Sequence, residues 1–335
     1  MSKLIRHVAL VPDRNIGNQL RMSDLTKAAA ALQKQAIRDF GPAWQVTATV
    51  DAFAALEDVP LGYWPILIGQ EDQKGGGVHL DEDNQPFALV DFTPDWTVTV
   101  SHECLEMLAD PFGNRLVAGD SPNPARRGRV LFLVEVCDPC EVPTLGYTVN
   151  GVRVSDFYLP PYFDPSQPPG PPRTVQYDFM GHITAPRQVL RGGYLSWQEA
   201  DGTWYQELFF GSKPVFKRLG TFNKKFGSLR SWIDAHTRPD QKKMLRVRAT
   251  FPGQVLARLP GEYGGDNDMA GDASRRRAER VREALSAASA REAEPLESEP
   301  LDANNPEERS DNGGQSRSGP RGAKKPGRRN PSKTR

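Results

Sequence analysis

The sequence predicts an α+β fold that is followed by a long polar tail. In the first half of the chain, short β-branched or alternating segments are mixed with segments whose apolar residues recur every three or four positions, which indicates strands and helices. Residues 173–218 carry several short aromatic segments separated by turns, which indicates a β-rich region. After Tyr263 the chain has no aromatic residue and few apolar ones, so it cannot build a core there.

The first predicted elements are a strand, a helix and two more strands. The apolar run at the N-terminus is short and is interrupted by His7, so we interpret it as a strand and not as a secretory signal. The helix has apolar residues at helical spacing and is predicted to end at Gly41-Pro42. These four elements are predicted over residues 1–12, 23–40, 46–50 and 63–68.

A glycine triplet at residues 75–77 precedes the next predicted strand, residues 86–92. Glycines can let an extended substrate approach the backbone of an edge strand, which makes Gly77 a candidate substrate-binding residue. A flexible hairpin loop is the competing interpretation. His79 is a candidate hydrogen-bonding residue for substrate near the site, with a structural role in the core as its alternative. No Lys-Ser or Lys-Thr follows the glycines, which argues against a phosphate-binding loop.

The segment 96–111 carries the strongest chemical signal in the chain. Residues 96–100, a tryptophan followed by four β-branched residues, predict a strand, after which Ser101 is the expected N-cap of a short helix that Pro111 ends. Helical residues four apart share a face, so the helix should present a polar stripe with one further acid beside its start. The stripe consists of His102, Glu106 and Asp110, and the neighbouring acid is Glu103.

A histidine and three acids within nine residues, set between apolar positions, indicate a bound cation. The zinc-peptidase helix His-Glu-x-x-His binds zinc through both histidines and uses its glutamate as general base. Here Glu106 occupies the position of the second histidine, which makes the site harder and more negative. The alternative is an amphipathic helix with acids on its surface.

A second acidic cluster, residues 135–141, follows the apolar run 130–134. A strand that ends in acids and thiols can deliver a third ligand to the helix, as metallopeptidases require. Glu135 and Asp138 are both candidates, and the alternation of the run does not decide between them. Glu141 in the same cluster is a further candidate. We expect Asp110 to orient a ligand from outside the coordination sphere.

The motifs Ser-His-Glu-x-x-Glu, Asp-Pro-x-Gly-Asn and Glu-Val-x-Asp-x-Cys, in this order, resemble a zincin-type metallopeptidase variant. A similar motif pair occurs in Exordium-like proteins of plants and in bacterial and phage proteins. The resemblance implies a zincin-like mixed sheet with a backing helix and a metal-site helix, and a peptide or protein substrate. It is carried by His102, Glu103, Glu106, Asp110, Pro111, Gly113, Asn114, Glu135, Asp138 and Cys140.

Three hypotheses about function follow from these residues. In a metal-dependent hydrolase, His102, Glu106 and Glu135 or Asp138 hold a divalent ion, zinc or alternatively calcium, and Glu103 is the general base. In a noncatalytic protein, the metal only stabilises the structure or an interaction surface, as in a phage- or bacteria-associated module. The third hypothesis is a zinc deaminase. That class of enzyme requires a His-x-Glu pattern and a proline just before the first zinc-binding cysteine, and this sequence has neither.

The second half of the chain is predicted to extend this domain. Residues 147–154 contain an Asn-Gly turn and predict a β-hairpin. The organisation predicted is a metal-site domain (1–164), a β-rich extension packed on it (165–263) and a disordered tail (264–335). Within the extension, residues 175–179, 193–198 and 204–210 are predicted strands. His182 is expected in a loop, from which it could also reach the metal site.

Charge and composition narrow the expected partners. The net charge is +1, and the basic, aromatic segment 219–233 is interpreted as a solvated face, with single-stranded nucleic acid as its alternative. Only nonspecific nucleic-acid contact is expected from the basic end of the tail. The sequence has no apolar stretch of the roughly 20 residues that a membrane span needs. Three cysteines, an odd number, argue against a disulfide framework, so a cytoplasmic protein is expected.

Overall fold

The computed structural model describes residues 5–69, 76–82, 84–163, 175–223 and 228–237. It combines helices with a mixed sheet and an antiparallel sheet, which confirms the α+β class. The predicted tail, residues 264–335, lies outside the described residues. Among the helices of the described ranges, none is long and apolar enough to cross a membrane.

The first sheet is mixed. Its strand order is β2-β1-β3-β5-β4, in which β4 is antiparallel to β5 and the other neighbours are parallel. All four strands predicted before residue 93 are confirmed, although their ends differ by a few residues. The bounds are β1 (Ile5–Pro12), β2 (Thr47–Ala52), β3 (Tyr63–Gly69), β4 (Gly77–Glu82) and β5 (Gln85–Asp91).

Both faces of this sheet are covered, so its strands bury residues on either side. Val8 belongs to the main core with the helices, whereas the next residue, Ala9, belongs to a smaller core on the opposite face. On β4, Val78 packs in the smaller core. His79 pairs with Ala88 of β5, a member of the main core, and therefore points toward the helices.

The helix predicted over residues 23–40 is confirmed, but the predicted stop at Gly41-Pro42 is wrong. Helix α1 (Met22–Lys34) continues through a π-helical turn (Gln35–Phe40) into the short helix α2 (Gly41–Trp44). Pro42 is tolerated because it lies in the first turn of α2, where a backbone N–H is not needed. The helical path ends at Gln45, whose φ is 57°.

The predicted strand at residues 96–100 is also wrong, because these residues form the first turns of α3 (Trp96–Ala109). Ser101 is therefore not an N-cap. It lies inside the helix, where its Oγ donates to Gln35 Oε1 at 2.7 Å and accepts from the Ser155 amide at 3.0 Å. Tertiary packing overrides the strand preference of the β-branched residues, since almost every residue from 98 to 109 is buried. The predicted end before Asp110-Pro111 is confirmed.

The second sheet is antiparallel, with the order β12-β11-β10-β7-β6, and it joins strands from both sides of residue 164. The predicted hairpin is confirmed, with Asn150 and Gly151 at positive φ in its turn. The predicted strand at residues 175–179 is wrong, since only an isolated bridge joins Asp178 to Tyr158. The bounds are β6 (Leu116–Asp120), β7 (Arg129–Leu133), β8 (Tyr147–Val149), β9 (Val152–Val154), β10 (Tyr194–Gln198), β11 (Thr203–Leu208), β12 (Val215–Thr221) and helix α4 (residues 229–237).

Candidate metal centre

Helix α3 and the loop after β7 bring three predicted ligands together. His102 and Glu106 are four residues apart on α3, and His102 Nε2 lies 3.1 Å from Glu106 Oε2. Asp138, from the loop, places its Oδ1 3.3 Å from the same His102 Nε2. The other oxygen of Glu106, Oε1, accepts a hydrogen bond from the Cys137 amide at 3.1 Å, which ties the helix to the loop.

The two distances from His102 Nε2, to Glu106 Oε2 and to Asp138 Oδ1, fit a shared cation. Ligand atoms of a tetrahedral zinc ion lie about 2.0–2.1 Å from the metal and hence about 3.3 Å from one another. Within the described ranges, Glu106 Oε2 and Asp138 Oδ1 are buried and have no hydrogen-bond donor of suitable geometry. Buried polar atoms normally have a partner. The donor set of one imidazole nitrogen and two carboxylate oxygens therefore fits a divalent cation such as zinc.

Glu103 lies beside this group of ligands. Its Oε1 is 4.0 Å from His102 Nε2, and its side chain is 3% exposed. Gly77 of β4 gives it room, because a Cβ at Gly77 would lie 2.5 Å from Glu103 Oε1. Gly77 was expected to contact substrate. The structure places it against the predicted general base, and its contact with substrate stays a prediction.

His79 reaches the same cluster from β4. Its ring is fully buried, and Nε2 lies 3.1 Å from the carbonyl oxygen of Asp110. Its Nδ1 is 3.7 Å from Glu103 Oε2, 3.7 Å from Glu106 Oε2 and 3.8 Å from Glu135 Oε2. His79 thus faces three carboxylates, whereas the sequence indicated only a place near the site.

Glu135 and Asp138 were alternatives for the third ligand, and both point into the cluster. They are held by Arg230, whose Nη1 lies 3.0 Å from Glu135 Oε1 and 3.2 Å from Asp138 Oδ2. Arg230 also donates from Nη2 to the Tyr194 hydroxyl at 3.2 Å, and its Nε lies 3.1 Å from Asp234 Oδ1. This one guanidinium joins α4 to the loop after β7.

Arg230 is the residue of the candidate site that the sequence does not predict. We interpreted its segment as a solvated basic face, but Arg230 is 2% exposed. One signal was available, because Arg230 lies three residues before the buried Ile233 on α4 and so shares its face. Gly113, part of the Asp-Pro-x-Gly-Asn motif, gives Arg230 room: a Cβ there would lie 2.7 Å from Arg230 Cβ.

The protonation of the cluster reflects an excess of buried negative charge. Burial raises the pKa of Glu135 well above its ordinary value, and repulsion by Glu106 adds to this although Arg230 opposes it. Burial also raises the pKa of Asp138. For His102, burial alone would lower the pKa, but the carboxylates of Glu106 and Asp138 raise it well above the usual range. Protons retained on these groups offset charge that a divalent cation could offset instead.

The remaining candidates lie around or away from this cluster. Asp110 accepts from the Arg115 amide at 2.6 Å through Oδ2, and it contacts His79 through its carbonyl oxygen. Glu141 can place an oxygen within 4.8 Å of ligand atoms of His102 and Asp138. His182 instead contacts Asp156, with its Nδ1 3.1 Å from Oδ2.

Comparison with known proteins assigns no family. No protein-family model matches the chain, and neither a curated protein nor a solved structure is significantly similar to it. Function therefore has to be inferred from the positions and chemistry of the side chains described above.

Proposed function

We propose that this protein is a metal-dependent hydrolase of the metallopeptidase type. The observation that carries the proposal is the position of His102 Nε2, 3.1 Å from Glu106 Oε2 and 3.3 Å from Asp138 Oδ1. One nitrogen and two oxygens at these spacings suit a divalent ion, with zinc first and calcium as the alternative. The residues that would hold it are His102, Glu106 and Asp138.

A cation held there would polarise the scissile carbonyl and acidify water. Glu103 would accept a proton from that water and pass it to the leaving amine, as its place beside the ligands allows. Arg230 would keep Asp138 turned toward His102, because it engages Oδ2 and leaves Oδ1 for the ion. Asp110 would support the site through its carbonyl contact with His79.

The surrounding fold supports a zincin-like arrangement. Strand β4 stands at the end of the strand order, runs antiparallel to its neighbour β5, and contributes Gly77 and His79 beside α3. A strand in this position offers backbone groups to an extended peptide, which suits a peptide or protein substrate. We therefore propose that the protein acts on its substrate as zincin-type peptidases do.

Replacement of Glu103 by Gln tests the proposal. The variant should retain the zinc ion held by His102, Glu106 and Asp138, none of which it changes, but lose at least about 100-fold in hydrolysis of a mixed peptide substrate, because a general base is worth roughly that much. The measurements are metal content by mass spectrometry, thermal unfolding and peptide cleavage by chromatography. Glu57→Gln, on a 3-10 turn where Glu57 pairs with the exposed Arg14, is the control and should keep full activity.

A noncatalytic metal-stabilised protein is the second candidate. The observation that favours it is burial, since Glu106 is 0% exposed and His102 only 8%. In that case the zinc-loaded wild type would cleave no peptide, yet a chelator would still lower its melting temperature. Cleavage by the wild type that Glu103→Gln leaves intact would contradict the assigned base.

A further inference from the structure

We propose a second divalent-cation site beside the first, formed by His79 Nδ1 with oxygens of Glu103, Glu106 and Glu135. It deepens the proposed function, since it shares Glu106 with the first site, but it rests on its own observation. That observation is a fully buried imidazole nitrogen directed at three carboxylate oxygens.

The hydrogen bond of the other ring nitrogen determines what Nδ1 can do. The carbonyl oxygen of Asp110 can only accept, so His79 Nε2, 3.1 Å away, carries the proton. In a neutral imidazole Nδ1 then presents a lone pair. Metal-binding histidines characteristically donate their second ring N–H to a carbonyl or a carboxylate in this way.

The distances from His79 Nδ1 to the three carboxylates are too long for hydrogen bonds but suit ligands that share one ion. Nitrogen–oxygen hydrogen bonds are about 2.7–3.2 Å long, whereas Nδ1 is 3.7–3.8 Å from each carboxylate. Two ligands of one ion, each about 2.0–2.2 Å from it, stand roughly 3 to 4 Å apart. In the part of the chain that the structure describes, Nδ1, Glu103 Oε2, Glu106 Oε2 and Glu135 Oε2 are all buried without a hydrogen-bond partner.

Arg230 divides the carboxylates between the two sites. Its ion pairs use Glu135 Oε1 and Asp138 Oδ2. The remaining oxygens then face different histidines, with Glu135 Oε2 near His79 and Asp138 Oδ1 near His102. Glu106 Oε2 is near both histidines, 3.1 Å from His102 Nε2 and 3.7 Å from His79 Nδ1. Two ions sharing this carboxylate would form the kind of pair that many two-metal hydrolases use.

The charge of the cluster points the same way. Glu103, Glu106, Glu135 and Asp138 are each at most 4% exposed, and Arg230 is the guanidinium that contacts this group. Buried carboxylates that outnumber their cations are costly. One divalent ion at His102 still leaves Glu103 and Glu135 facing the lone pair of His79, and a second ion relieves that repulsion.

Metal stoichiometry tests the proposal on the full chain. Metal-stripped protein is dialysed against Zn²⁺ or Mn²⁺, and bound metal per chain is measured by mass spectrometry. We expect two ions in the wild type and one in His79→Gln, whose amide can still donate to the Asp110 carbonyl. His7→Gln, the control, changes a histidine that bonds Thr49 on β2 and should keep two ions.

The possible outcomes separate the two proposals. One ion in the wild type, unchanged in His79→Gln, overturns the second site and leaves the first intact; His79 would then be a protonated counter-ion. One ion in the wild type and none in His79→Gln also overturns it. No ion in the wild type rejects both sites. Electron paramagnetic resonance of the Mn²⁺-loaded wild type tests the second site without any variant. Two ions bridged by Glu106 should give the spectrum of a spin-coupled pair. A spectrum of isolated Mn²⁺ ions would contradict the proposal.

Discussion

At the scale of single residues, the main feature of the site is that one guanidinium, that of Arg230, contacts several buried carboxylates. Arg230 pairs with Glu135 and Asp138 while it also contacts Tyr194 and Asp234. A lysine could not reproduce this, because only the planar guanidinium offers several donors in fixed directions. The arginine therefore both neutralises and aims the carboxylates.

Arg230→Gln should cost about 3–5 kcal/mol of unfolding free energy, since it leaves two buried carboxylates without their partner. Arg126→Gln is the matched control. Arg126 pairs with Glu199 at 2.7–2.8 Å, but its side chain is 37% exposed, so it should cost no more than about 1 kcal/mol. Urea unfolding of the metal-free proteins measures both. Equal losses would show that the buried pairs contribute no more than a surface pair.

Glu207 should make stability depend on pH outside the metal centre. Burial raises the pKa of this partly buried residue on β11 to about 7. Because the folded state then binds the proton more tightly than the unfolded state, the contribution of Glu207 to the free energy of unfolding is fully present below about pH 4.5 and is lost as pH rises through about 7. Glu207→Gln should raise the melting temperature relative to the wild type at pH 8 but not at pH 4. A constant difference across this range would contradict the assignment.

At the scale of elements, helix α3 shows what the sequence could and could not predict. The polar stripe of His102 and Glu106 follows from helical spacing, and the helix end follows from Asp110-Pro111. The start was missed, because residues 96–100 prefer strands locally and become helical only through burial. Likewise, the position of Arg230 depends on how α4 packs against distant segments, which local periodicity does not encode.

Ser101 links α3 to two other segments, and Ser101→Ala should cost about 1–3 kcal/mol because Gln35 Oε1 and the Ser155 amide both lose a partner. Thr26→Ala is the control. It also removes a hydroxyl from a helix, but this one is exposed and, among the described residues, donates to the Met22 carbonyl alone. Its effect should stay within about 0.5 kcal/mol. Similar losses in the two variants, measured by denaturant unfolding, would show that the buried network is not stabilising.

At the scale of the whole molecule, two sheets share one main core. Phe132 of β7, before residue 164, and Trp197 of β10, after it, both lie in the main core and pair across their strands. The residues of the candidate site also come from both sides of residue 164, since Arg230 lies on α4 and the other residues of the site precede residue 164. The two halves of the sequence therefore contribute to one structure.

A fragment of residues 1–163 should not unfold cooperatively, because β7 loses β10 and the main core loses Trp197 and Tyr205. Near-ultraviolet circular dichroism and calorimetry of the fragment and the full chain measure this. A fragment with the full chain's cooperative transition would show that residues 1–163 form an independent domain.

The composition of α3 has a consequence for the order of folding. Its opening turns contain Thr97, Val98, Thr99 and Val100, whose branched side chains make an isolated helix of 14 residues marginal in water. We therefore expect the helix that brings His102 and Glu106 together to become stable only once it packs on the rest of the core. In the proposed hydrolase, the cation would therefore bind late in maturation, after the sheets have formed, and not on an isolated nascent helix.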